Sequence, residues 1–292
     1  VATPAAEVDV DVPLVGALLR DQHPDLADLP LAIAASGWDN VIVRLGDDLA
    51  VRVPRRAAAA DLIEHEQRWL PEIARRVAPV VPVPDPVRIG RPGRGFPWSW
   101  SVVRWLPGTP AAGRAGGVPV AEALAAFVGL LHVPAPPDAP ANRFRAVPLA
   151  TRSDAVLTRL ATEDVPRARE LAAVWRTAAA RPAYAGPPVW VHGDLHPFNV
   201  LLEESPSGGT RLSAIVDFGD VTAGDPAVDL ATAWLTLDRE ARRTFRVRVA
   251  ADDDTWERAR AWAVSIASAL YLSDDRTFRA VARRAIDGVL DG

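Results

Sequence analysis

The sequence predicts an α+β chain in two lobes, a small N-terminal lobe built on an antiparallel sheet and a larger, mainly helical C-terminal lobe. Three observations carry this expectation. Residues 31–53 read as three short apolar runs separated by turn-forming Ser, Gly, Asp and Asn, the pattern of a β-meander. Beyond residue 107, long segments repeat apolar residues at helical spacing, interrupted by one strand-rich stretch over 189–220. A chain of 292 residues is long enough for two lobes, or for one large domain. The expected boundary lies after Leu106, dividing the chain into 1–106 and 107–292.

Composition narrows the function classes. Hydrophobic residues make up 49% and charged residues 24%, the balance of a soluble globular protein. A net charge of −4 argues against nonspecific nucleic-acid binding, which needs basic patches. With no Cys there is neither a disulfide nor thiol chemistry. There is also no Lys, so every basic residue is Arg. The opening V-A-T-P-A-A-E-V-D-V-D-V lacks the charged start and apolar core of a signal peptide, and no run of about 20 apolar residues suggests a membrane span. The expectation is a cytoplasmic protein with no nucleic-acid or membrane partner. The oligomeric state is not specified.

In chain order, Val12 to Arg20 reads as a short amphipathic helix. Leu31 to Ala35, Val41 to Leu45 and Leu49 to Val53 are the meander strands, joined by Ser36-Gly37-Trp38-Asp39-Asn40 and Gly46-Asp47-Asp48. Ala57 to Val77 has helical composition, with Leu62, Glu66, Trp69 and Ile73 on one side. Glu64 lies about 200° away around that helix. The proline-rich run 79–86 is extended and semi-rigid. Val87 to Ile89 and Trp98 to Leu106 are further strand candidates, the last meeting Pro107-Gly108. In the second lobe, Val118 to His132 is an apolar helix, and 154–180 holds one or two helices broken near Val165-Pro166. Residues 228–237, 239–249, 255–272 and 276–290 read as helices. The acidic runs Asp252-Asp253-Asp254 and Asp274-Asp275 suit helix caps, or a surface that attracts ammonium groups.

The most informative stretch is Val189 to Asp220. Trp190-Val191 ends an apolar strand, the polar loop His192 to Pro197 follows, and Val200 to Leu202 and Leu212 to Val216 form a hairpin around Ser205 to Thr210. A turn centred near Ser207-Gly208 sets Asn199 beside Val216 and Phe198 beside Asp217. Asn199 and Asp217 then fall within about 4.5–8 Å of each other at the open end, with Asp194 on the loop entering that end. Two oxygen ligands there suit Mg²⁺, which takes few protein oxygens beside phosphates and water. A third, separate carboxylate suits the task of orienting an attacking hydroxyl. The chain has only three Asn, at 40, 142 and 199, which makes an Asn at this place informative. His192 and His196 have a zinc-compatible spacing, but no Cys or third His lies near them.

His192-Gly193-Asp194-Leu195-His196-Pro197-Phe198-Asn199, followed by Ile215-Val216-Asp217-Phe218-Gly219-Asp220, resembles the aminoglycoside phosphotransferase and choline kinase superfamily. The resemblance implies a protein-kinase-like fold, with an N-terminal nucleotide-binding lobe and a C-terminal catalytic and acceptor-binding lobe. It implies Asp194 as the catalytic base, Asn199 and Asp217 as Mg²⁺ ligands, and ATP or GTP as phosphate donor. Asp229, in Gly224-Asp225-Pro226-Ala227-Val228-Asp229, maps to an Asp that braces the catalytic loop; helix capping is the alternative reading, preferred for Asp225. Ser36 and Gly37 map to the turn covering the donor phosphates, although the loop lacks the Gly-rich pattern and an ordinary hairpin explains it equally well. Where the family carries a Lys on the third strand, this chain has Arg52, with Glu66 as its expected partner. The backbone of Arg104 and Leu106 would read the purine, and Trp105 either stacks on the base or packs in the protein. The implied activity is transfer of the γ-phosphate to an alcohol group of an aminoglycoside-type antibiotic, conferring resistance. The alternatives are a macrolide, choline, sugar or amino-alcohol kinase, or a catalytically silent nucleotide-binding relative.

Overall fold

A computed structural model describes residues 5–206 and 208–291. The chain divides between Leu106 and Pro107 into two compact units, with the short segment Pro79–Val81 grouped with the second.

The first unit opens with helix α1 (Val12–Gln22), capped by Asp11, whose carboxylate accepts the Leu14 N–H at 2.8 Å. Strands β1 (Leu31–Ser36), β2 (Asn40–Leu45) and β3 (Leu49–Pro54) form the expected meander. Helix α2 (Ala60–Val77) follows, then β4 (Pro86–Gly90) and β5 (Trp100–Arg104). The sheet runs β1-β2-β3-β5-β4 and every neighbouring pair is antiparallel. Its alternating residues Val41, Val43, Val51, Val53 and Val102 close over Val15, Leu18 and Leu19 of α1 together with Phe96 and Trp100. Removing these side chains from water is what holds the helix on the sheet.

Helix α2 departs from its expected facing in one respect. Its buried stripe is Ile63, Glu66, Leu70, Ile73 and Val77, while Leu62 and Trp69 are only half-buried. The centre of the stripe is turned by about 50°, half a residue's rotation. Both sets contain Glu66 and Ile73, so Glu66 still faces inward and Glu64 outward.

The second unit contains β6 (Thr109–Pro110), α3 (Val118–Leu131), α4 (Ser153–Thr162), α5 (Ala168–Ala179), β7 (Val189–Val191), β8 (Val200–Glu204), β9 (Thr210–Ile215) and β10 (Thr222–Gly224). Helices α6 (Ala227–Leu230), α7 (Thr232–Leu235), α8 (Arg239–Arg248), α9 (Asp253–Tyr271) and α10 (Arg276–Leu290) complete it. The helix expected over 228–237 is two single turns meeting at Ala231. Helix α3 buries one broad face, Val120, Ala121, Leu124, Ala125, Phe127, Val128 and Leu131, and packs on α8 and β9. The acidic runs act as caps. Asp252 accepts the Thr255 N–H at 2.6 Å, Asp275 accepts the Thr277 N–H at 2.6 Å, and Asp254 pairs with Arg181. Among the described residues no helix is long and apolar enough to cross a membrane.

Two small sheets carry the central stretch, β10-β7 and β6-β8-β9, both antiparallel. In the β8–β9 hairpin Val200 pairs with Ile215 and Leu201 with Ala214. The Val216 N–H donates to Asn199 O at 3.0 Å, so Asn199 faces Val216 as expected. Closer to the turn the register slips, Leu202 pairing with Leu212, which leaves Ser213 as a bulge. Thr210, expected in the loop, belongs to β9; Ser207, the expected turn centre, lies outside the described residues. The bulge turns the Ser213 hydroxyl to donate to Pro107 O at 2.8 Å. Gly108 passes so close that a Cβ there would come within 2.2 Å of that hydroxyl.

Candidate active site

The site is built on the loop leaving β7. Val189, Trp190 and Val191 are buried, so the strand is anchored and the polar residues begin where pairing with β10 stops. His192 is fully buried. Its Nδ1 accepts the Asp194 N–H at 3.2 Å and its Nε2 lies 3.0 Å from Val216 O, so the ring carries its proton on Nε2. The ring also lies 4.5 Å from that of the buried Phe218. His192 thus ties the loop to the hairpin, as a structural histidine rather than a zinc ligand. Gly193 adopts φ +83°, and a Cβ there would lie 2.5 Å from Asp220 O, so only glycine fits.

Asp229, on the single turn α6, grips the same loop. Its fully buried carboxylate accepts the His192 N–H at 2.8 Å and the Gly193 N–H at 2.9 Å, and His132 Nε2 lies 3.1 Å from Oδ2. Asp225, just before this turn, accepts the Ala227 N–H at 3.0 Å and pairs with Arg258 Nε at 2.7 Å, both side chains buried.

The Asp194 carboxylate is 21% exposed and held at both oxygens. Arg145 Nη2 donates to Oδ1 at 2.8 Å, and His196 Nε2 lies 3.2 Å from Oδ2. Burial by itself would raise this carboxyl; Arg145 and then His196 outweigh burial and hold it well below the usual carboxylate range. The charge of Asp194 in turn outweighs burial at His196 and raises that imidazole. Arg145 also approaches Asp220, with Nε 3.6 Å from Oδ2, and Asn142 Nδ2 donates to Asp220 Oδ1 at 2.7 Å. Asp220 is nevertheless raised, first by burial, against the opposing Arg145.

Asn199 is 7% exposed and spends its Nδ2 on Asp194 O at 3.0 Å, so Oδ1 is the atom that could hold a metal. Asp217 sits one residue beyond Val216, exposed, in the left-handed region at φ +64°, a conformation rare for a non-glycine residue and concentrated at functional sites. An amide oxygen and a carboxylate are hard donors that suit Mg²⁺ completed by phosphate and water oxygens. Among the described residues no group of three or more His, Asp or Glu is arranged to hold a metal. An amide oxygen with a single carboxylate fits a cation that needs few protein ligands.

In the first unit, Arg52 Nε lies 3.2 Å from Glu66 Oε2, with the two side chains 9% and 5% exposed. Ser36 and Gly37 are exposed, but the Gly37 N–H is taken within its own turn by Asn40 O at 2.9 Å. Arg55 Nη1 donates to Ser36 Oγ at 3.2 Å and to Gly37 O at 2.9 Å, and Arg56 pairs with Asp39. Two arginines thus staple this loop. Arg104 is exposed and pairs with Leu49 in the sheet; Leu106 is half-buried. Trp105 is 38% exposed with the Arg44 guanidinium 4.2 Å from its ring centre, so one ring face is already covered.

Sequence reasoning did not single out Arg145, Asp220 or Arg55. Asn142 carried a signal, as one of only three Asn in the chain, and its side chain orders the Arg145 segment.

A model of the phosphotransferase enzyme family matches residues 31–262. The GDP complex of aminoglycoside 2'-phosphotransferase-IIIa is 19% identical, with a TM-score of 0.68 over 95% of this chain and 98% of that one. The macrolide 2'-phosphotransferase MphH from Brachybacterium faecium is also 19% identical, with a TM-score of 0.57 over 95% and 98%. The streptomycin-ATP-APH(2")-IIa complex is 16% identical, with a TM-score of 0.57 over 98% and 97%. At these identities the likeness establishes a shared fold. Comparison with curated proteins gives no match.

Proposed function

The chain belongs to the phosphotransferase enzyme family, and from that premise we propose that it is a small-molecule kinase that transfers the γ-phosphate of ATP or GTP to a hydroxyl of an aminoglycoside-type antibiotic or related metabolite. The observation that supports this reading is the loop clamped by Asp229, on which Asn199 Nδ2 donates to Asp194 O and the Val216 N–H, next to Asp217, donates to Asn199 O.

Asp194 orients the acceptor hydroxyl. Arg145 and His196 favour its ionised form, so it accepts a hydrogen bond from the hydroxyl and aims the attacking oxygen. This suits phosphoryl transfer, where the transition state is loose and positioning supplies most of the catalysis. Asn199 Oδ1 and Asp217 would hold Mg²⁺, which would supply charge neutralisation at the donor phosphates. Arg52 takes the phosphate-contacting part usual for a lysine, and its contact with Glu66 holds the guanidinium fork in place. The relatives named above support a small-molecule acceptor, and the antibiotic class is read from them by analogy.

The test is phosphate transfer from labelled ATP and GTP to a panel of aminoglycosides, macrolides, choline, sugars and amino alcohols. The expected result is Mg²⁺-dependent transfer to a hydroxyl of at least one of them. Asp194→Ala is expected to lower turnover by about 100- to 10,000-fold. Near-normal transfer by that variant removes Asp194 from the role given to it.

A further inference from the structure

We propose that Arg145 is a positioning residue for this reaction: its guanidinium fixes Oδ1 of Asp194, so that Oδ2 is the oxygen that meets the acceptor hydroxyl. The proposal rests on the reading of Asp194 given above.

The contacts that order the loop hold its backbone. Asp229 takes the N–H groups of His192 and Gly193, and Asn199 takes Asp194 O. None of these constrains the carboxylate, which still has two side-chain torsions to settle. Among the described residues two side chains touch it, Arg145 and His196. They differ in what stands behind them.

His196 belongs to the loop itself, and its contact, at 3.2 Å, is the longer. Its Nδ1 is buried without a hydrogen-bond partner, so nothing on the far side of the ring fixes it by hydrogen bonding. Arg145 arrives from a distant segment that is bracketed at several points. Asn142 N–H donates to Thr222 Oγ1 at 3.0 Å, and the Thr222 hydroxyl donates to Pro140 O at 2.7 Å. The Ala223 N–H donates to Pro140 O and the Asp225 N–H to Ala146 O, each at 3.1 Å. Within the segment, Asn142 Oδ1 accepts the N–H groups of Phe144 and Arg145 itself, at 2.8 and 3.2 Å. These bonds tie the segment to β10, the strand paired with β7, from which the Asp194 loop departs. Arg145 and Asp194 are therefore held in one frame. The second carboxylate on Arg145, Asp220, restrains the guanidinium from another side. Of the two oxygens, Oδ1 is held by a cation hydrogen-bonded into the β10 frame, and Oδ2 by a ring that packs on Phe198 but has no hydrogen bond behind it.

The assay uses the full chain with Mg²⁺ and ATP or GTP, following phosphate release with water as acceptor and, where one is found, transfer to a panel compound. Arg145→Gln is expected to lower kcat about 100-fold, the scale of a misaimed reacting group, with the nucleotide KM unchanged within about twofold. Arg145→Lys keeps the charge but not the fork, and is expected to recover part of the loss. Added guanidinium ion is expected to restore part of the turnover of Arg145→Ala, which a purely structural role would not allow. In an Asp194→Asn background, Arg145→Gln is expected to add little, because residues acting as a unit are not additive. If Arg145→Gln is too unstable to assay, Arg145→Lys takes its place in the same cycle. The proposal is overturned if kcat survives both substitutions, or if the losses at 145 and 194 multiply. A wild-type chain that neither hydrolyses nor transfers overturns the kinase reading itself, whereas an active chain indifferent to residue 145 overturns this proposal alone.

Discussion

Asp229 shows how much one side chain carries. It has no exposure to solvent and takes two backbone N–H groups of the loop that presents Asp194. Asp229→Asn turns an amide NH₂ toward one of those donors and leaves it unsatisfied. The expected cost is about 1–3 kcal/mol of stability, read as a lowered midpoint in urea, together with a fall in turnover larger than the stability loss explains. A full-activity variant would mean that the loop holds its shape without this brace. At this scale the sequence was readable wherever the chemistry was local. Asp194, Asn199 and Asp217 fall within 24 positions of one another, and Glu66 shares a helix face with its apolar neighbours. Arg145 sits 49 positions from Asp194, in a run with no periodicity or motif, so nothing in its surroundings along the chain announced it.

Elements were set by local rules, and their details by what they packed against. The β8–β9 hairpin has the predicted register at its open end, because pairing there follows from the apolar pattern of the two strands. The bulge at Ser213 has no such origin: it answers to Pro107, which lies 106 positions away. Helix α2 was found from its periodicity, but a facing error of about 50° is invisible to a pattern in which Leu62 and Ile63, or Trp69 and Leu70, serve equally well. The buried Arg258–Asp225 contact ties α9 to the residues just before α6. Arg258→Met strands a buried carboxylate, and a loss of about 3–5 kcal/mol is expected in equilibrium unfolding. Replacing both partners with apolar residues should return part of that loss, less the Asp225 cap on Ala227. A single variant of wild-type stability would show that the pair contributes nothing.

For the whole molecule the decisive measurement is linkage between nucleotide and metal. If Asn199 and Asp217 hold Mg²⁺ together with the donor phosphates, ATP or GTP at 100 times its Kd is expected to stabilise the chain by about 2.7 kcal/mol. Most of that gain should vanish when the metal is chelated. Stabilisation indifferent to Mg²⁺ contradicts the metal assignment, and none at millimolar nucleotide favours a silent relative. Reductant is expected to leave the melting curve unchanged, since the chain has no Cys.

The sequence by itself determined the fold class, the meander, most of the helices and the cluster around the central loop, since each depends on residues a few positions apart acting through strand, helix or turn geometry. Only the tertiary structure decided which side chains hold the Asp194 carboxylate, how the loop over Ser36 is stapled by Arg55, and which way α2 is rolled. Those contacts join segments far apart in the chain, and a charge finds its partner through the packing of the elements that carry both, which no spacing along the sequence encodes.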